Sequence, residues 1–386
     1  MKKIFFILSI IFIVLSFFTQ SCKKEKNLLF DVEIINGTKT VHNFRYNKIK
    51  QLELLEDLSI GFNQEEENYS FRYPRDIDAD SKGNIYVVDY EEGTIKKYSA
   101  QGKHERNIGR KGQGPGEFEY LTSICIKKNI IYCADLMQRE VELFDLAGNY
   151  LKTIRTEGLS PEKICINGND EIFIGYKSIE KDIDEKIQNY YRIGKYLSEK
   201  KIINSFYEKK QFRYDRIRNR EFSYTIPHYV KWAINESGNI YIGSADKYEV
   251  SVYSPAGLML FKFVKDYQPF SVEEDTKKKA LAIIKALNVD PREYLKYLET
   301  YPILNSINID DKGRIWVELF QPSIDNNQQG ATHFDIFTSE GKFLFSAIIN
   351  KKNIYHIAIK FGYVYSLARD ERGYLGVIRF KINNPL

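Results

Sequence analysis

The chain has 386 residues, of which 43% are hydrophobic and 28% are charged, a composition typical of a folded globular protein. Its formal net charge is +5, and removal of residues 1–21, which include Lys2 and Lys3 and no acidic residue, would leave +3. A balance this close to neutral gives no support to nucleic-acid binding. The 28 tyrosines and 25 phenylalanines, against two tryptophans, indicate many half-buried strand positions.

The first 22 residues have the pattern of an export signal. Lys2 and Lys3 form a basic start, residues 4–18 form a largely apolar run, and Ser21 precedes Cys22. This run is shorter than the roughly 20 residues that a membrane-spanning helix needs. The segment resembles a bacterial lipoprotein signal, in which Cys22 becomes the lipidated first residue of the mature protein.

This resemblance implies a division of the chain. Residues 1–21 would be the signal peptide, residues 22–45 a tether, and residues 46–386 the folded part. The membrane would then be a partner through the lipid on Cys22. No aspartate follows Cys22, and by resemblance to Gram-negative lipoproteins this implies the outer membrane, with a periplasmic or a surface-exposed orientation both open.

A repeated pattern follows the N-terminal segment. Its clearest copy, residues 73–109, contains four short alternating runs separated by turn residues. The marker of each copy is an aromatic or apolar run after a polar or glycine turn, and it recurs six times, ending at Tyr86, Tyr132, Phe173, Tyr241, Trp316 and Tyr365. Six successive units with four strands each predict an all-β, six-bladed β-propeller.

Three motifs resemble NHL-repeat blades. They are the Gly-Asn-Ile-Tyr-Val-x-Asp run that begins at Gly83, the Asp-x-x-Gly turn before it, and the linker at residues 108–118. Together with the lipoprotein signal, they are similar to the six-bladed propeller lipoproteins of Bacteroidota. The resemblance implies the fold but not the function, because this fold hosts lyases, hydrolase-like enzymes and interaction modules.

The last unit has room for three strands only, between residues 354 and 384. Residues 49–60 carry enough apolar residues to supply the missing outer strand. We therefore expect this N-terminal segment to close the ring and to cover an exposed sheet edge.

Two insertions interrupt the repeats. Residues 271–300 predict a helical hairpin, with a capping box from Ser271 to Glu274, a first helix through Leu281 and Ile284, and a second helix starting at Asp290. We expect the hairpin to cover one end of the ring. The other insertion, near residues 209–226, is rich in lysine and arginine; it could bind an anionic polymer, a carboxylated glycan or a lipid head group, or be an ordinary solvated loop.

The cysteines beyond Cys22 are Cys125, Cys133 and Cys165, an odd number. They fit buried small hydrophobic positions, since free cysteine is among the most buried residue types. A disulfide between Cys125 and Cys133, on neighbouring strands, is the alternative.

A candidate ligand-binding face follows from the NHL-type blade. In such a blade, the loop that enters the first strand and the loop that leaves the second strand lie at the same end of the ring. The candidates at this end and in the basic insertion are Arg75, Asp89, Tyr90, Asp135, Arg139, Tyr176, Arg213, Arg216, Arg218, His228, Tyr229, Glu318, His356 and Arg369. Asp89 and Asp135 could line the channel or stabilise the turns that follow their strands.

Evidence for catalysis is weak in this sequence. Only His228 and His356 are placed to join a metal site on the axis, and there is no His-x-His, no Gly-x-Ser-x-Gly and no phosphate-binding loop. The sequence therefore favours a binding or scaffolding module for a glycan, a peptide or an envelope protein, without a metal or cofactor. A metal-dependent lyase or a lactonase-like hydrolase is the alternative.

Overall fold

A computed structural model describes residues 30–44, 51–62, 65–181, 187–196, 202–211, 230–243, 247–286, 298–322 and 330–383. Six sheets, each with a four-stranded antiparallel core, form the blades of a propeller, which confirms the predicted fold. No helix among these residues is long and apolar enough to cross a membrane.

The strands follow the predicted repeats. Preceding the first blade are β1 (Phe30–Ile35), β2 (Thr38–Asn43), β3 (Gln51–Glu53) and β4 (Leu55–Gly61). Blade 1 consists of β5 (Pro74–Ala79), β6 (Ile85–Asp89), β7 (Thr94–Tyr98) and β8 (His104–Ile108). A short pair, β9 (Arg110–Lys111) and β10 (Glu117–Phe118), leads to blade 2, which consists of β11 (Leu121–Lys127), β12 (Ile130–Asp135), β13 (Glu140–Asp145) and β14 (Tyr150–Arg155).

The remaining blades have the same order. Blade 3 consists of β15 (Ser160–Ile166), β16 (Ile172–Lys181), β17 (Ile187–Tyr196) and β18 (Ile202–Gln211). Blade 4 consists of β19 (Lys231–Ile234), β20 (Ile240–Gly243), β21 (Glu249–Tyr253) and β22 (Met259–Lys265). Blade 5 consists of β23 (Leu304–Ile309), β24 (Ile315–Leu319), β25 (Thr332–Phe337) and β26 (Phe343–Ile349), and blade 6 begins with β27 (Ile354–Lys360), β28 (Tyr363–Arg369) and β29 (Leu375–Lys381).

The turn motif explains why the repeats share a sequence. The Asp80 carboxylate accepts hydrogen bonds from the backbone N–H groups of Lys82 at 2.9 Å and Asn84 at 3.0 Å. Gly83 between them has φ +81°, a conformation that glycine adopts without strain. Asp310 holds the corresponding turn of blade 5. The motif thus fixes the link between the first and second strands of a blade.

The ring closes as the sequence predicts. β4 pairs antiparallel with β29, so that Ile60 lies opposite Val377, and becomes the outer strand of blade 6. Ile60 is buried in a cluster with Phe71, which precedes blade 1, and with Tyr98 on β7. The N-terminal and C-terminal parts of the propeller are thereby joined in one sheet.

The strands β1 and β2 were not expected from the sequence, and β3, which was expected to belong to the outer strand of blade 6, joins blade 5 instead. β2 runs parallel to β22 and adds to the edge of blade 4, while β1 pairs with the outer side of β2. β3 runs parallel to β26 at the edge of blade 5. Part of the predicted tether, residues 30–43, therefore forms two strands. They are held to the protein in part by Val41, which is fully buried in the core cluster that contains Phe263.

The insertion after blade 4 contains one described helix, α1 (Glu274–Ala286). Ile284 is buried, so this helix packs against the protein. The predicted capping box is wrong, because Ser271 pairs with Thr300 at the base of the insertion and the helix begins at Glu274. The second helix of the predicted hairpin falls in residues 287–297, outside the described residues.

The three described cysteines are all free thiols. Cys133 is fully buried, while Cys125 and Cys165 lie on the innermost strands of blades 2 and 3. Burial raises the pKa of Cys125 to about 12. The structure does not contain the alternative disulfide between Cys125 and Cys133.

Candidate functional site

The central channel is surrounded by the first strand of each blade: β5, β11, β15, β19, β23 and β27. Five of these strands have a register shift near their start; the shift in β5 lies between Pro74 and Asp76, and the shift in β27 lies between Tyr355 and Ile357. A bulge of this kind redirects side chains, and bulges are common beside functional sites. The end of the channel at which these strands begin is called the channel mouth below.

Three tyrosines from blades 1 and 2 form a cluster at the channel mouth. The ring centroids of Tyr90 and Tyr120 are 4.2 Å apart, and those of Tyr73 and Tyr90 are 5.8 Å apart. Tyr73 has 54% of its surface exposed. Tyr73, Tyr90 and Tyr120 are called the tyrosine cluster below, and they offer aromatic faces to a ligand.

Arg75 packs its positively charged guanidinium against the tyrosine cluster. Its guanidinium carbon lies 5.2 Å from the ring centroid of Tyr120, and its Nη1 donates a hydrogen bond of 3.2 Å to the Tyr120 hydroxyl. Lys111 Nζ lies 5.3 Å from the centroid of Tyr90 on the outer side. Cations over aromatic faces are a stable arrangement, and they keep the rings in a fixed orientation.

Further positive charges lie inside the channel around His356. Burial, followed by the charges of Arg75, Lys231 and Lys163, lowers the pKa of His356 to about 4. Residue His356 is nevertheless accessible to solvent. The imidazole is therefore neutral at pH 7, and the nearby cations disfavour its protonation.

Lys163 and Lys231 come from the inner strands of blades 3 and 4. Lys163 Nζ donates a hydrogen bond of 2.5 Å to the carbonyl of Trp232 and lies 5.0 Å from the centroid of that ring system. Burial, and the nearby charge of Lys163, lower the pKa of Lys231 to about 8, while Glu318 opposes the change. Arg75, Lys163 and Lys231 are called the channel cations below.

Two carboxyl groups share this region. The Glu318 carboxylate accepts hydrogen bonds of 2.6 Å from both Asn305 and Ser306, and burial raises its pKa. Burial raises the pKa of Asp76 to about 6, although the backbone N–H of Ile124 donates to it at 2.9 Å. Asp76 is held by the neighbouring blade 2 and Glu318 by the first strand of its own blade, and both are weak acids for their type.

Ion pairs bridge the opposite end of the channel. Lys360 Nζ lies 2.6 Å from the Asp78 carboxylate and donates to the carbonyl of Ile126 at 3.2 Å. Lys127 of blade 2 forms an ion pair with Glu236, which follows the inner strand of blade 4. These contacts join several blades, so the channel mouth is the end better suited to admit a ligand.

Two predicted site residues have a structural role in the turns. Asp89 and Asp135 are fully buried. Asp89 accepts hydrogen bonds from the backbone of Arg72 at 2.8 Å and Tyr73 at 3.1 Å, and Asp135 accepts one from Tyr120 at 3.0 Å. Their carboxylates hold the loops that carry the tyrosine cluster, which is the turn-stabilising alternative, so they are not available to a ligand.

Other predicted residues are dispersed. Tyr176 is 5% exposed and belongs to the apolar core between blades 2 and 3, so it is not available to a ligand. Arg139 lines a cleft of about 660 Å³ formed by loops at one end of blade 2, together with Glu140 and Arg155. Arg369 is exposed near Tyr355, whose pKa burial raises to about 12.

The structure thus brings Arg75, Tyr90, Glu318 and His356 together at the channel mouth. The remaining candidates, Cys22, Arg213, Arg216, Arg218, His228 and Tyr229, lie outside the described residues. Within the described ranges, no group of three or more His, Cys, Asp or Glu side chains could hold a metal ion.

The sequence patterns did not predict Lys163 and Lys231 as site residues. Lys163 lies two positions after Pro161 in β15, as Asp76 lies two positions after Pro74 in β5. Aligning the first strands of the blades would therefore have placed Lys163 beside the channel. No such proline marks Lys231.

The fold and the channel define a six-bladed β-propeller with aromatic and charged side chains at the channel mouth. The chain belongs to the DUF5128 family of 6-bladed beta-propellers, whose family model matches residues 66–300. No curated protein matched the sequence.

Solved structures are similar in fold at low sequence identity. A protein from Bacteroides fragilis, described as exported, is 13% identical; the match covers 88% of this chain and 98% of that one, with a TM-score of 0.53. A DUF4221 family member from Bacteroides vulgatus is 10% identical over 86% of this chain and 99% of that one, with a TM-score of 0.50. These likenesses extend the evidence for the propeller fold and say nothing about activity.

Proposed function

We propose that this protein is a lipid-anchored envelope propeller that binds a polar ligand, with a glycan favoured, at the channel mouth. The observation that carries the proposal is the tyrosine cluster with Arg75 against it. Tyrosine rings pack on the apolar faces of sugar rings, and their hydroxyls and the guanidinium supply hydrogen bonds. Binding sites of this kind combine aromatic walls with a few fixed polar groups.

The neighbouring loops support this use of the cluster. Asp89 and Asp135 hold the backbone next to Tyr73 and Tyr120 through buried hydrogen bonds, so the rings are oriented before a ligand arrives. Preorganised side chains lose little conformational entropy on binding. A scaffolding role toward an envelope protein would use the same surface.

The channel cations disfavour the alternative of a metal-dependent lyase or lactonase-like hydrolase. A divalent cation beside His356 would meet the charges of Arg75, Lys163 and Lys231, which already disfavour a proton on that imidazole. The protein is therefore proposed to bind its ligand without metal chemistry.

The proposed location is the outer membrane, through a lipid on Cys22. Support comes from the basic start, the apolar run and the Ser21–Cys22 pair. In this proposal residues 22–29 are the tether, since β1 begins at Phe30. Mass spectrometry of the membrane fraction should find an acylated Cys22, and Cys22→Ala should release the protein or leave it unprocessed; unchanged retention and mass would contradict the anchor.

A glycan and peptide array with detergent-solubilised full-length protein tests the binding function. We expect saccharide binding that Tyr90→Ala reduces about tenfold, since loss of one aromatic contact costs about 1–1.5 kcal/mol. Tyr150→Ala is the matched control, because Tyr150 is an exposed tyrosine on the outer strand of blade 2. Absence of any array ligand, or equal loss in both variants, would contradict the proposal.

A further inference from the structure

We propose that the channel cations and His356 form a seat for a carboxylate group, and that the ligand is an acidic saccharide. This inference rests on the proposed function, in that the tyrosine cluster binds the rings of the same ligand. It adds a second subsite, inside the channel, and a chemical class.

The charges of the seat come from four blades. Arg75 lies on β5, Lys163 on β15, Lys231 on β19, and His356 on β27. Lys163 and Lys231 lie at the same level of the channel, because each pairs with the glycine at the corresponding position of the next strand and Lys163 reaches the Trp232 carbonyl beside Lys231. Arg75 and His356 lie at the register shifts near the starts of β5 and β27, and the charges of all three cations contribute to the lowered pKa of His356. Convergence of like charges from separate strands is costly for folding, so its presence indicates a ligand of opposite charge.

Arg75 and Lys163 have neutral hydrogen-bond partners among the described residues. Arg75 donates to the Tyr120 hydroxyl and Lys163 donates to the Trp232 carbonyl, and both of these partners are neutral. Within the described part of the chain, neither cation forms an ion pair with a carboxylate. An anion in the seat would gain charge-assisted hydrogen bonds from both.

The two nearby carboxyl groups limit the charge of the ligand. Asp76 has the same position in β5 as Lys163 has in β15, and the charge of Glu318 acts on Lys231. Glu318 is already hydrogen-bonded to Asn305 and Ser306. These negative groups would repel a dianion more strongly than a monoanion. A carboxylate therefore suits the seat better than a phosphate does.

Arg75 connects the seat with the tyrosine cluster. It contacts the Tyr120 ring and also influences His356, so the two subsites are adjacent. A ligand that fills both needs a ring for the tyrosines and a carboxylate close to that ring. A uronic-acid residue of a saccharide has this combination.

Calorimetry with two probes tests the proposal on the full-length protein. The probes are α-1,4-linked tetragalacturonate and the neutral tetragalactose of the same linkage. We expect the acidic probe to bind at least tenfold more tightly, and we expect its affinity to fall as the salt concentration rises. No binding of tetragalacturonate, or equal affinities for the two probes, would overturn the proposal.

Variants and a spectroscopic signature separate the seat from the tyrosine cluster. Lys163→Met should weaken tetragalacturonate binding at least tenfold and leave tetragalactose binding unchanged. Lys82→Met is the control, because Lys82 is an exposed lysine in the turn at the opposite end of β5. Bound tetragalacturonate should also raise the pKa of His356, followed by the NMR shift of its ring protons, by at least one unit toward its ordinary value.

The possible failures are distinguishable. If array saccharides bind through Tyr90 but Lys163→Met has no effect and the His356 pKa does not change, the seat is wrong and the proposed function stands. If acidic peptides bind and shift His356 while tetragalacturonate does not, the saccharide class is wrong. If no saccharide or peptide binds at all, both proposals fail.

Discussion

Lys360 of blade 6 lies 2.6 Å from the carboxylate of Asp78 in blade 1, and the same carboxylate accepts the backbone N–H of Ile126 in blade 2 at 2.7 Å. This ion pair, in which Asp78 is buried and Lys360 is half-buried, therefore links three blades at the end of the channel opposite the tyrosine cluster. It connects the last blade of the chain with the first two, where the ring must close. This contact complements the sheet that β4 and β29 form on the outside of the ring.

Lys360→Met should destabilise the protein by about 3 kcal/mol, because it leaves Asp78 buried without its cation. Urea denaturation at pH 7 measures the change. Lys351→Met is the control, since Lys351 forms an exposed ion pair with Glu56 and should lose less than about 1 kcal/mol. Equal losses in the two variants would show that the inner pair does not stabilise ring closure.

Alkaline pH should weaken the same contact. Burial lowers the pKa of Lys360, but the Asp78 charge outweighs it and the pKa is raised overall. A raised lysine pKa contributes stability that is complete below the unfolded value and is lost as the pH rises through the folded value. The stability difference between wild type and Lys360→Met should therefore shrink above about pH 10.5; a difference that persists there would contradict this assignment.

Glu142→Gln should stabilise the protein by about 1–2 kcal/mol at pH 8. Glu142 is fully buried; Thr153 donates to one carboxylate oxygen at 2.9 Å, while the other oxygen has no hydrogen-bond partner among the described residues. Burial raises its pKa to about 7, so the folded protein binds a proton more readily than the unfolded chain, and stability falls as the pH rises from the unfolded value toward 7.

The gain should therefore disappear below about pH 4.5. Thermal melting of wild type and Glu142→Gln at pH 4.5 and pH 8 checks this, with the exposed Glu157→Gln as the control. A gain of the same size at both pH values would contradict ionisation of Glu142 as its cause.

Val41→Asp should destabilise the protein by about 3 kcal/mol or more, because Val41 is fully buried where β2 meets β22. Val32→Asp is the matched control on the neighbouring strand β1, where Val32 is 43% exposed and should lose little. Thermal melting measures both. Equal small effects would mean that β1 and β2 do not contribute to the folded core.

The sequence predicted the blades because each one depends on local signals. The Asp80 turn, the run that ends at Tyr86 and their copies specify strands and turns within a few residues of themselves. The closure by β4 was accessible because the last unit lacked a strand. The pairing of β2 with β22 was not, since these strands are more than 200 residues apart and no repeat marks β2.

The candidate site was predictable only in part. Arg75, Tyr90 and His356 follow from the ends of the strands, and they do lie at the channel mouth. The burial of Asp89 and Tyr176 depends on how blades pack on one another, which a single repeat does not specify. Lys163 became significant only once the inner strands from different blades were seen around one axis.

A crystal structure of the protein with its tightest array ligand tests the central claim most directly. We predict a ring of the ligand against Tyr73 or Tyr90 and a polar ligand atom within about 3.5 Å of the Arg75 guanidinium, a hydrogen-bonding distance. A ligand bound instead in the blade 2 cleft beside Arg139 and Arg155, without contact to Tyr73, Tyr90 or Arg75, would contradict the account.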